Sequence, residues 1–537
     1  MERSNTTKRI ILQLISLMRS HEIHHVVVCP GSRNAPIVHT LASQSWLHCY
    51  PVTDERSAAF VAIGLSDALS VREGCRVPVA VCCTSGSAVL DMSPAVAEAY
   101  YRGVPLLVIS ADRPESWIGQ MDGQTLIQPR CFGDMARSYV LREGDDEETM
   151  WYRNRIINEA LSLLRDEHHT PVHINVHLSE PLFTFKEGDL PEERFILWQK
   201  GVATGGYDLS FLGENRRTLI VVGQMVPVKR DVEAMVANVI SERRAVVVAE
   251  NLSNLTHIDG VVTNIDAILA QQMMVGDLSP ERVIYIGGHI VSKRLKQYLR
   301  GVKPMQCIRL TDSSQIEDTF MCVTHQYGED TFSSVVSSLV GDNGEYITKW
   351  QEVSRSVKKL EGDYGYSMQG VVSRVLDTLP EGVSVSLANS SSVRYAQTFV
   401  GRKSNTIYCN RGVNGIDGSL SAAVGQAMAT EELVVAVIGD LSFFYDMNAL
   451  WNVMLPSNLR VLLVNNGGGE IFRTLPGLEQ SEHRERYVMA EHRVRAEGWT
   501  RDTGCRYMQV EKANQLEGAI DLLLSPSDRC VVVEVMV

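Results

Sequence analysis

Two short apolar runs, one stopping on Gly-Asp and the next on Asn-Asn-Gly-Gly-Gly, constrain this chain more than any other feature. The first, at 433–438, is too short for a helix and has no polar interruption, so it reads as a strand buried on both faces. Gly439-Asp440 follows it. Asp446 is then placed to cap a helix running through Ala449, Leu450, Val453 and Met454. The second run, at 461–464, ends on Asn465-Asn466 and three glycines. A strand–helix–strand unit closes by a right-handed crossover, which leaves both strands' carboxyl ends on one sheet edge. Asp440 and Asn466 are therefore expected to be neighbours. A carboxylate, an amide oxygen and glycine carbonyls form a hard-oxygen ligand set that suits Mg²⁺ shared with phosphate. The same spacing also fits a strand that ends at an Asp cap and a later Asn-Gly turn, so the rest of the chain has to decide.

The strand–loop–helix alternation recurs along all 537 residues, a length that suggests about three domains. In residues 1–190 the strand candidates are 25–29, 48–52, 77–83 and 105–110. They run into the loops PGSRNAP, TDERS, TSGSA and ADRPE. Residues 181–193 read as a polar linker. A second unit, 195–345, has strand candidates at 218–222, 245–249, 282–286 and 306–310, and Gly287-Gly288 precedes a helix with Lys293 and Arg294. It lacks a GxGxxG fingerprint, so no dinucleotide site is assigned. A third unit, 350–537, opens with a helix at 366–379. It continues with strands at 384–388 and 407–410, the loop RGVNGIDG, the opening stretch, and a last strand at 529–537. The expected class is α/β, with three domains that are each a mostly parallel sheet flanked by helices.

The net charge of −13 argues against non-specific nucleic-acid binding and requires anion-binding groups to be concentrated locally. No apolar run reaches membrane-spanning length, so no membrane insertion is expected. The amphipathic N-terminus reads as a first helix and not as a signal. Eleven cysteines without a CxxC pair fit reduced thiols in a cytoplasmic protein.

GDLS…NNGGG resembles the diphosphate-and-magnesium motif of thiamine-diphosphate-dependent enzymes, with Leu441 standing where the general pattern has glycine. The set PGSRNAP, TDERSAAF, TSGSA, ADRPE, RGVNGIDG and GDLSFFYDMNAL is similar, in order and over nearly the whole chain, to one branch of that superfamily. That branch comprises the menaquinone-pathway 2-succinyl-5-enolpyruvyl-6-hydroxy-3-cyclohexene-1-carboxylate (SEPHCHC) synthases. The resemblance implies a pyrimidine-binding domain, a central transhydrogenase-like domain and a diphosphate-binding domain. It also implies a homodimer or dimer of dimers with active sites between subunits. Glu55 matches the catalytic glutamate that bonds the cofactor's pyrimidine ring. This task needs a carboxyl group in a water-poor pocket. Asp440, Asn466 and Gly468 match the Mg²⁺ ligands, with Mn²⁺ as the alternative ion. Ser390, Ile416, Gly439, Leu441 and Ser442 match positions that contact thiamine diphosphate, Ile416 as the bulky prop beneath its two rings.

The resemblance further implies decarboxylation of 2-oxoglutarate and 1,4-addition of the succinyl unit to isochorismate. Both substrates are dicarboxylates, for which arginine forks are the expected binders. Ser32, Arg33, Arg113, Gln124, Lys293, Arg294, Arg394 and Arg411 fall on substrate positions. Arg394 and Arg411 are assigned to 2-oxoglutarate, and Arg113, Lys293 and Arg294 to isochorismate, with Arg33 near both. Ile471 and Phe472 are expected to wall the apolar side of the pocket. Gly123 departs from the family, in which an amide side chain occurs at that position. Two other classes stand against this expectation: a thiamine-diphosphate enzyme acting on pyruvate-like 2-oxo acids, and a non-enzymatic metabolite-binding protein.

Overall fold

The structure is a computed structural model that describes residues 4–165, 169–197, 207–226, 230–270, 278–357, 364–398 and 405–537. Three parallel sheets carry the chain. The first is built from β1 (His25–Val28), β2 (His48–Pro51), β3 (Val79–Cys83), β4 (Leu106–Asp112), β5 (Arg137–Leu141) and β6 (Val172–His177), in the order β2-β1-β3-β4-β6-β5. Helix α1 (Glu55–Glu73) follows β2. Asp54 caps it, and the left-handed Gly74 ends it. Helix α2 (Ser93–Arg102) follows β3. The segment read as a linker lies against this domain. Phe185–Glu187 pairs antiparallel with Ser4–Thr6, and Glu193 accepts from Arg9 and Gln13 of the N-terminal helix Arg9–Ser20.

The central sheet holds β7 (Thr218–Val222), β8 (Val246–Ala249), β9 (Arg282–Ile286), β10 (Gln306–Leu310) and β11 (His325–Tyr327), in the order β8-β7-β9-β10-β11. Helix α3 (Lys293–Val302) follows β9, with Ser292 as its N-cap. Doubly wound sheets of this kind usually take ligands where the strand order reverses, here between β7 and β9. Backbone bonds from Gln224 N–H to His289 O (3.0 Å) and from Gly288 N–H to Gln224 O (2.8 Å) bridge that crevice. A Cβ on Gly223 would lie 2.1 Å from Gly288 O.

The last sheet contains β12 (Ser384–Leu387), β13 (Thr406–Cys409), β14 (Val434–Gly439), β15 (Leu459–Asn465), β16 (Arg506–Val510) and β17 (Val531–Met536). Its order, β13-β12-β14-β15-β17-β16, repeats the topology of the first sheet. Helices α4 (Ser391–Ala396), α5 (Ser419–Met428) and α6 (Asp440–Tyr445) follow β12, β13 and β14. The strand runs expected from sequence all appear, with ends shifted by a residue or two. The strand cores are buried on both faces and largely apolar, with buried polar exceptions such as His173 and Asn175 in β6 and Arg309 in β10.

The helix expected at 446–454 is a correction. The helical turn starts at Asp440 and ends at Tyr445. A single 3-10 turn, Met447–Leu450, follows, and Val453 is exposed. Asp446 does not cap that helix. It is fully buried and accepts from the backbone N–H and hydroxyl of Ser421, both at 2.7 Å, which ties the start of α5 to the end of α6.

Helices α1 and α5 cross at van der Waals contact and join the first and last domains. A Cβ on Gly64 would sit 1.9 Å from Ala422 O, and one on Gly425 would sit 2.1 Å from Val61 O. Only glycine allows backbones to approach so closely.

Candidate functional site

The ends of β14 and β15 lie side by side, with Gly439 opposite Val464. This register brings the Asp440 and Asn466 loops together, as the crossover predicts. Asp440 Oδ1 accepts from Leu441 N–H (2.6 Å). Its Oδ2 accepts from three successive N–H groups, those of Asn466 (3.1 Å), Gly467 (2.8 Å) and Gly468 (3.0 Å). Burial pushes the Asp440 carboxyl up, while these N–H bonds and the His492 ring pull against that shift. Gly467 and Gly468 have φ of 78° and 149°, and a Cβ on Gly468 would lie 2.9 Å from Met489 O. The glycine loop lies along residues 489–492 through Gly469 N–H to Met489 O (2.7 Å) and His492 N–H to Gly467 O (2.9 Å). His492 Nε2 approaches Asp440 Oδ2 to 3.3 Å without the alignment of a hydrogen bond. Asn466 donates its amide N–H to Glu470 (3.0 Å), and no described residue donates to its amide oxygen.

Ser442 donates its hydroxyl to Ile416 O at 2.5 Å, so it fixes the Ile416 loop. Gly418, two residues on, is left-handed, and a Cβ there would fall 2.2 Å from the Phe60 ring of α1. Ile471 and Phe472 are half-buried in the 3-10 turn Glu470–Thr474, with Phe472 folded over Gly469.

A second cluster is cationic. Arg411 is buried and donates to Asn389 Oδ1 (3.0 Å), and its Nε has no protein partner among the described residues. The loop carrying it is clasped by Glu98 of α2, whose carboxylate accepts from Gly412 N–H (2.8 Å) and Val413 N–H (2.9 Å). Glu98 is buried beside Arg102, which binds Asp67 with both oxygens at 2.8 Å. Arg394 lies close enough to Arg411 that, after burial, this like charge lowers its pKa. Sequence reasoning did not find His289 and Lys296. Burial pushes the His289 imidazole down to about 4, and Arg411 adds to the effect. Burial and then Arg411 lower Lys296. Lys296 thus feels Arg411, whereas the expected Lys293 and Arg294 are both exposed at the start of α3. Arg294 Nη1 reaches Asp266 at 3.9 Å. Ser390 has φ of 69°, which is rare for a residue with a side chain and typical of strained functional loops.

The remaining residues lie at the carboxyl ends of the first sheet. Arg33 is buried, donates to Leu178 O (3.0 Å) and pairs with Glu180 (3.2 Å). Its pKa is lowered, by burial and then by Arg113. Arg113 pairs with Asp122 (3.0 Å) and donates to Gly123 O (3.0 Å), so Gly123 takes part through its backbone. Gln124 is exposed, with φ of 57°, and lies against Gly86 of TSGSA; Ser32 is also exposed. Glu55, at the first turn of α1, is half-buried. Burial raises its carboxyl, and Asp91 and Asp54 add to the rise. No described residue forms an ion pair with it. Within this chain the loop of α1 meets the far end of α6, through Arg56 to Tyr445 O (2.6 Å) and Asn448 to Asp54 (2.8 Å).

The residues fit a diphosphate cofactor held through a cation. Asp440, the Asn466 amide oxygen and glycine carbonyls supply hard oxygens. Ser392 Oγ and Ser419 Oγ, in the first turns of α4 and α5, and Arg411 Nε and His492 Nε2, in loops, are buried donors without a hydrogen-bond partner among the described residues. Family models for the thiamine pyrophosphate enzyme N-terminal and C-terminal TPP binding domains match residues 10–133 and 389–535. The fold and site therefore define a thiamine-diphosphate-dependent enzyme. Relatives named 2-succinyl-5-enolpyruvyl-6-hydroxy-3-cyclohexene-1-carboxylate synthase cover nearly all of it. Those of Phocaeicola vulgatus and Bacteroides thetaiotaomicron are each 44% identical over 97% of this chain and 94% of their own length. The relative of Porphyromonas gingivalis is 34% identical over 100% and 95%. The chain belongs to the SEPHCHC synthase family.

Proposed function

We propose that this enzyme decarboxylates 2-oxoglutarate and adds the resulting succinyl unit to the ring alkene of isochorismate, giving SEPHCHC on the route to menaquinone in the cytoplasm. The observation that carries the reading is the cationic cluster of Arg411, Arg394 and Lys296 on the segments that follow β13, β12 and β9, which suits a dicarboxylate better than pyruvate. Thiamine diphosphate supplies a carbon nucleophile and the electron sink that lets carbon dioxide leave a 2-oxo acid.

The protein's part is to bind, orient and move protons. Asp440, Asn466 and the Gly468 carbonyl would hold Mg²⁺, or Mn²⁺ in its place, which would fix the cofactor's diphosphate as a template. Gly439 and Leu441 meet the diphosphate through backbone, Ile416 props the rings, and Ser442 acts by holding Ile416. Glu55 bonds the pyrimidine ring and helps move the proton that starts the reaction. Its raised carboxyl suits that role. Arg394 and Arg411 hold 2-oxoglutarate, and Ser390 contacts the cofactor. Ser32, Arg33, Arg113, Gln124, Lys293 and Arg294 hold isochorismate. Ile471 and Phe472 exclude water. Domains at 1–190, 195–345 and 350–537 then take pyrimidine, central and diphosphate roles, with each active site completed by a second copy of the chain.

The test is turnover with thiamine diphosphate and Mg²⁺ across 2-oxo acids, with and without isochorismate. The reading expects product only from 2-oxoglutarate plus isochorismate, and loss of turnover without cofactor or metal. Pyruvate turnover that ignores isochorismate would assign another decarboxylase or carboligase of the superfamily. Calorimetry showing no cofactor binding would point to a non-enzymatic role.

A further inference from the structure

Five consecutive residues, Glu250-Asn251-Leu252-Ser253-Asn254, leave the carboxyl end of β8 and bond to three elements that bear substrate-binding cations. Glu250 is buried. Its carboxylate accepts from Val291 N–H (2.6 Å) and Ser292 N–H (2.7 Å), the two residues before α3 with its Lys293, Arg294 and Lys296. Asn251 is buried and reaches the last domain. Its backbone N–H donates to Gln397 Oε1 (3.0 Å) and its amide to Ala396 O (2.7 Å), at the end of α4, which carries Arg394. Asn254 pairs with Ile407 in both directions: Ile407 N–H donates to Asn254 Oδ1 (2.8 Å) and Asn254 Nδ2 donates to Ile407 O (3.1 Å). Ile407 lies in β13, the strand that delivers Arg411. Asn254 Nδ2 also donates to Met225 O (2.9 Å), and Met225 N–H donates to Leu252 O (2.9 Å). Gln224 adds a bond to Cys409 O (2.7 Å).

Such a pattern exceeds what domain docking needs. Glu250, Asn251 and Asn254 are each directed at the root of a different cation-bearing element, and Asn254 has a left-handed backbone (φ of 60°) where it bonds Ile407. We infer that residues 250–254 are a positioning buckle that sets α3 against Arg394 and Arg411, and so fixes the distance between the two substrates of the carboligation. This inference rests on the proposed reaction. Neither Asn251 nor Asn254 is placed among the groups that touch cofactor or substrate. Their loss should therefore spare decarboxylation of 2-oxoglutarate alone and harm its transfer to a second substrate. Misplacement by about 1 Å costs roughly 100-fold in reactions that depend on orientation.

The experiment compares two assays in the full-length enzyme with thiamine diphosphate and Mg²⁺. One is 2-oxoglutarate oxidation to succinate and carbon dioxide with hexacyanoferrate(III) as electron acceptor; the other is carboligation with isochorismate. The variants are Asn251→Ala with Asn254→Gly, glycine being chosen to keep the left-handed turn, and separately Glu250→Gln. The buckle predicts carboligation lowered by about 10- to 100-fold, mainly through the KM for isochorismate, with oxidation changed by less than about threefold. It also predicts faster amide exchange at Val291 and Ser292 in Glu250→Gln, and unchanged calorimetric affinity for thiamine diphosphate in both. Equal loss in the two assays, or no change in either, overturns the buckle. A wild-type enzyme silent with 2-oxoglutarate overturns the proposed reaction and the buckle with it.

Discussion

Asp446→Asn is expected to stabilise the cofactor-free protein at neutral pH, although it removes a buried charge that makes two hydrogen bonds. Asp446 is fully buried, and desolvation lifts its carboxyl from 3.8 to about 6 against the pull of the Ser421 bonds. At about 1.4 kcal/mol per pH unit, holding the ionised form in the fold costs about 3 kcal/mol above pH 6. Because the folded value is raised, the folded chain binds more protons than the unfolded chain between 3.8 and about 6. Stability from this group is therefore complete below that window and is lost as pH rises through it. Asparagine keeps both bonds: its oxygen accepts from Ser421 N–H, and its amide donates to Ser421 Oγ. The assay is thermal unfolding of wild type and variant at pH 7.5 and pH 4.5. Each kcal/mol moves a domain of this size by about 2–4 °C. The variant should melt several degrees higher at pH 7.5, and the gap should shrink to about a third at pH 4.5. A variant that melts lower at pH 7.5, or a gap that ignores pH, would refute the reasoning.

Three further outcomes follow from the geometry. Glu98→Gln leaves one N–H of the Gly412–Val413 pair without its acceptor, a penalty of about 1–3 kcal/mol on the Arg411 loop; steady-state kinetics should show a raised KM for 2-oxoglutarate with unchanged cofactor affinity. Gly425→Ala drives a methyl into Val61 O at 2.1 Å, where two helix backbones cannot yield, and should cost about 1–3 kcal/mol or more in thermal unfolding. Glu55→Gln should bind thiamine diphosphate with Mg²⁺ in calorimetry while turnover falls by about 10²- to 10⁴-fold.

The sheets were legible because a strand buried on both faces is largely apolar, and its end is marked by residues that tolerate a sharp turn. The meeting of Asp440 with Asn466–Gly468 was legible for a related reason: a crossover leaves no other place for those loops. The helix expected after Asp446 was not. An Asp before Ala449 and Leu450 looks like a cap from local sequence, yet the carboxylate is committed to Ser421 in another element. Lys296, His289, Glu98 and His492 were missed for the same physical reason. Each acquires its neighbours only when elements distant in sequence dock, and none sits in a motif. The strained backbones at Ser390 and Gln124 are likewise invisible in composition, although both positions had been singled out by resemblance.

The proposed site is divided: Asp440 and the glycine loop would anchor the cofactor while Glu55 of a second chain would start the chemistry. In one chain Asp440 faces Asn466–Gly468, whereas the start of α1 bonds to the far end of α6. The most direct measurement mixes Glu55→Gln and Asp440→Ala, each inactive alone, after subunit exchange. If Glu55 acts across the interface, each mixed dimer has one intact site, and a 1:1 mixture regains about a quarter of wild-type turnover. No recovery in a mixture shown to have exchanged subunits would contradict the claim.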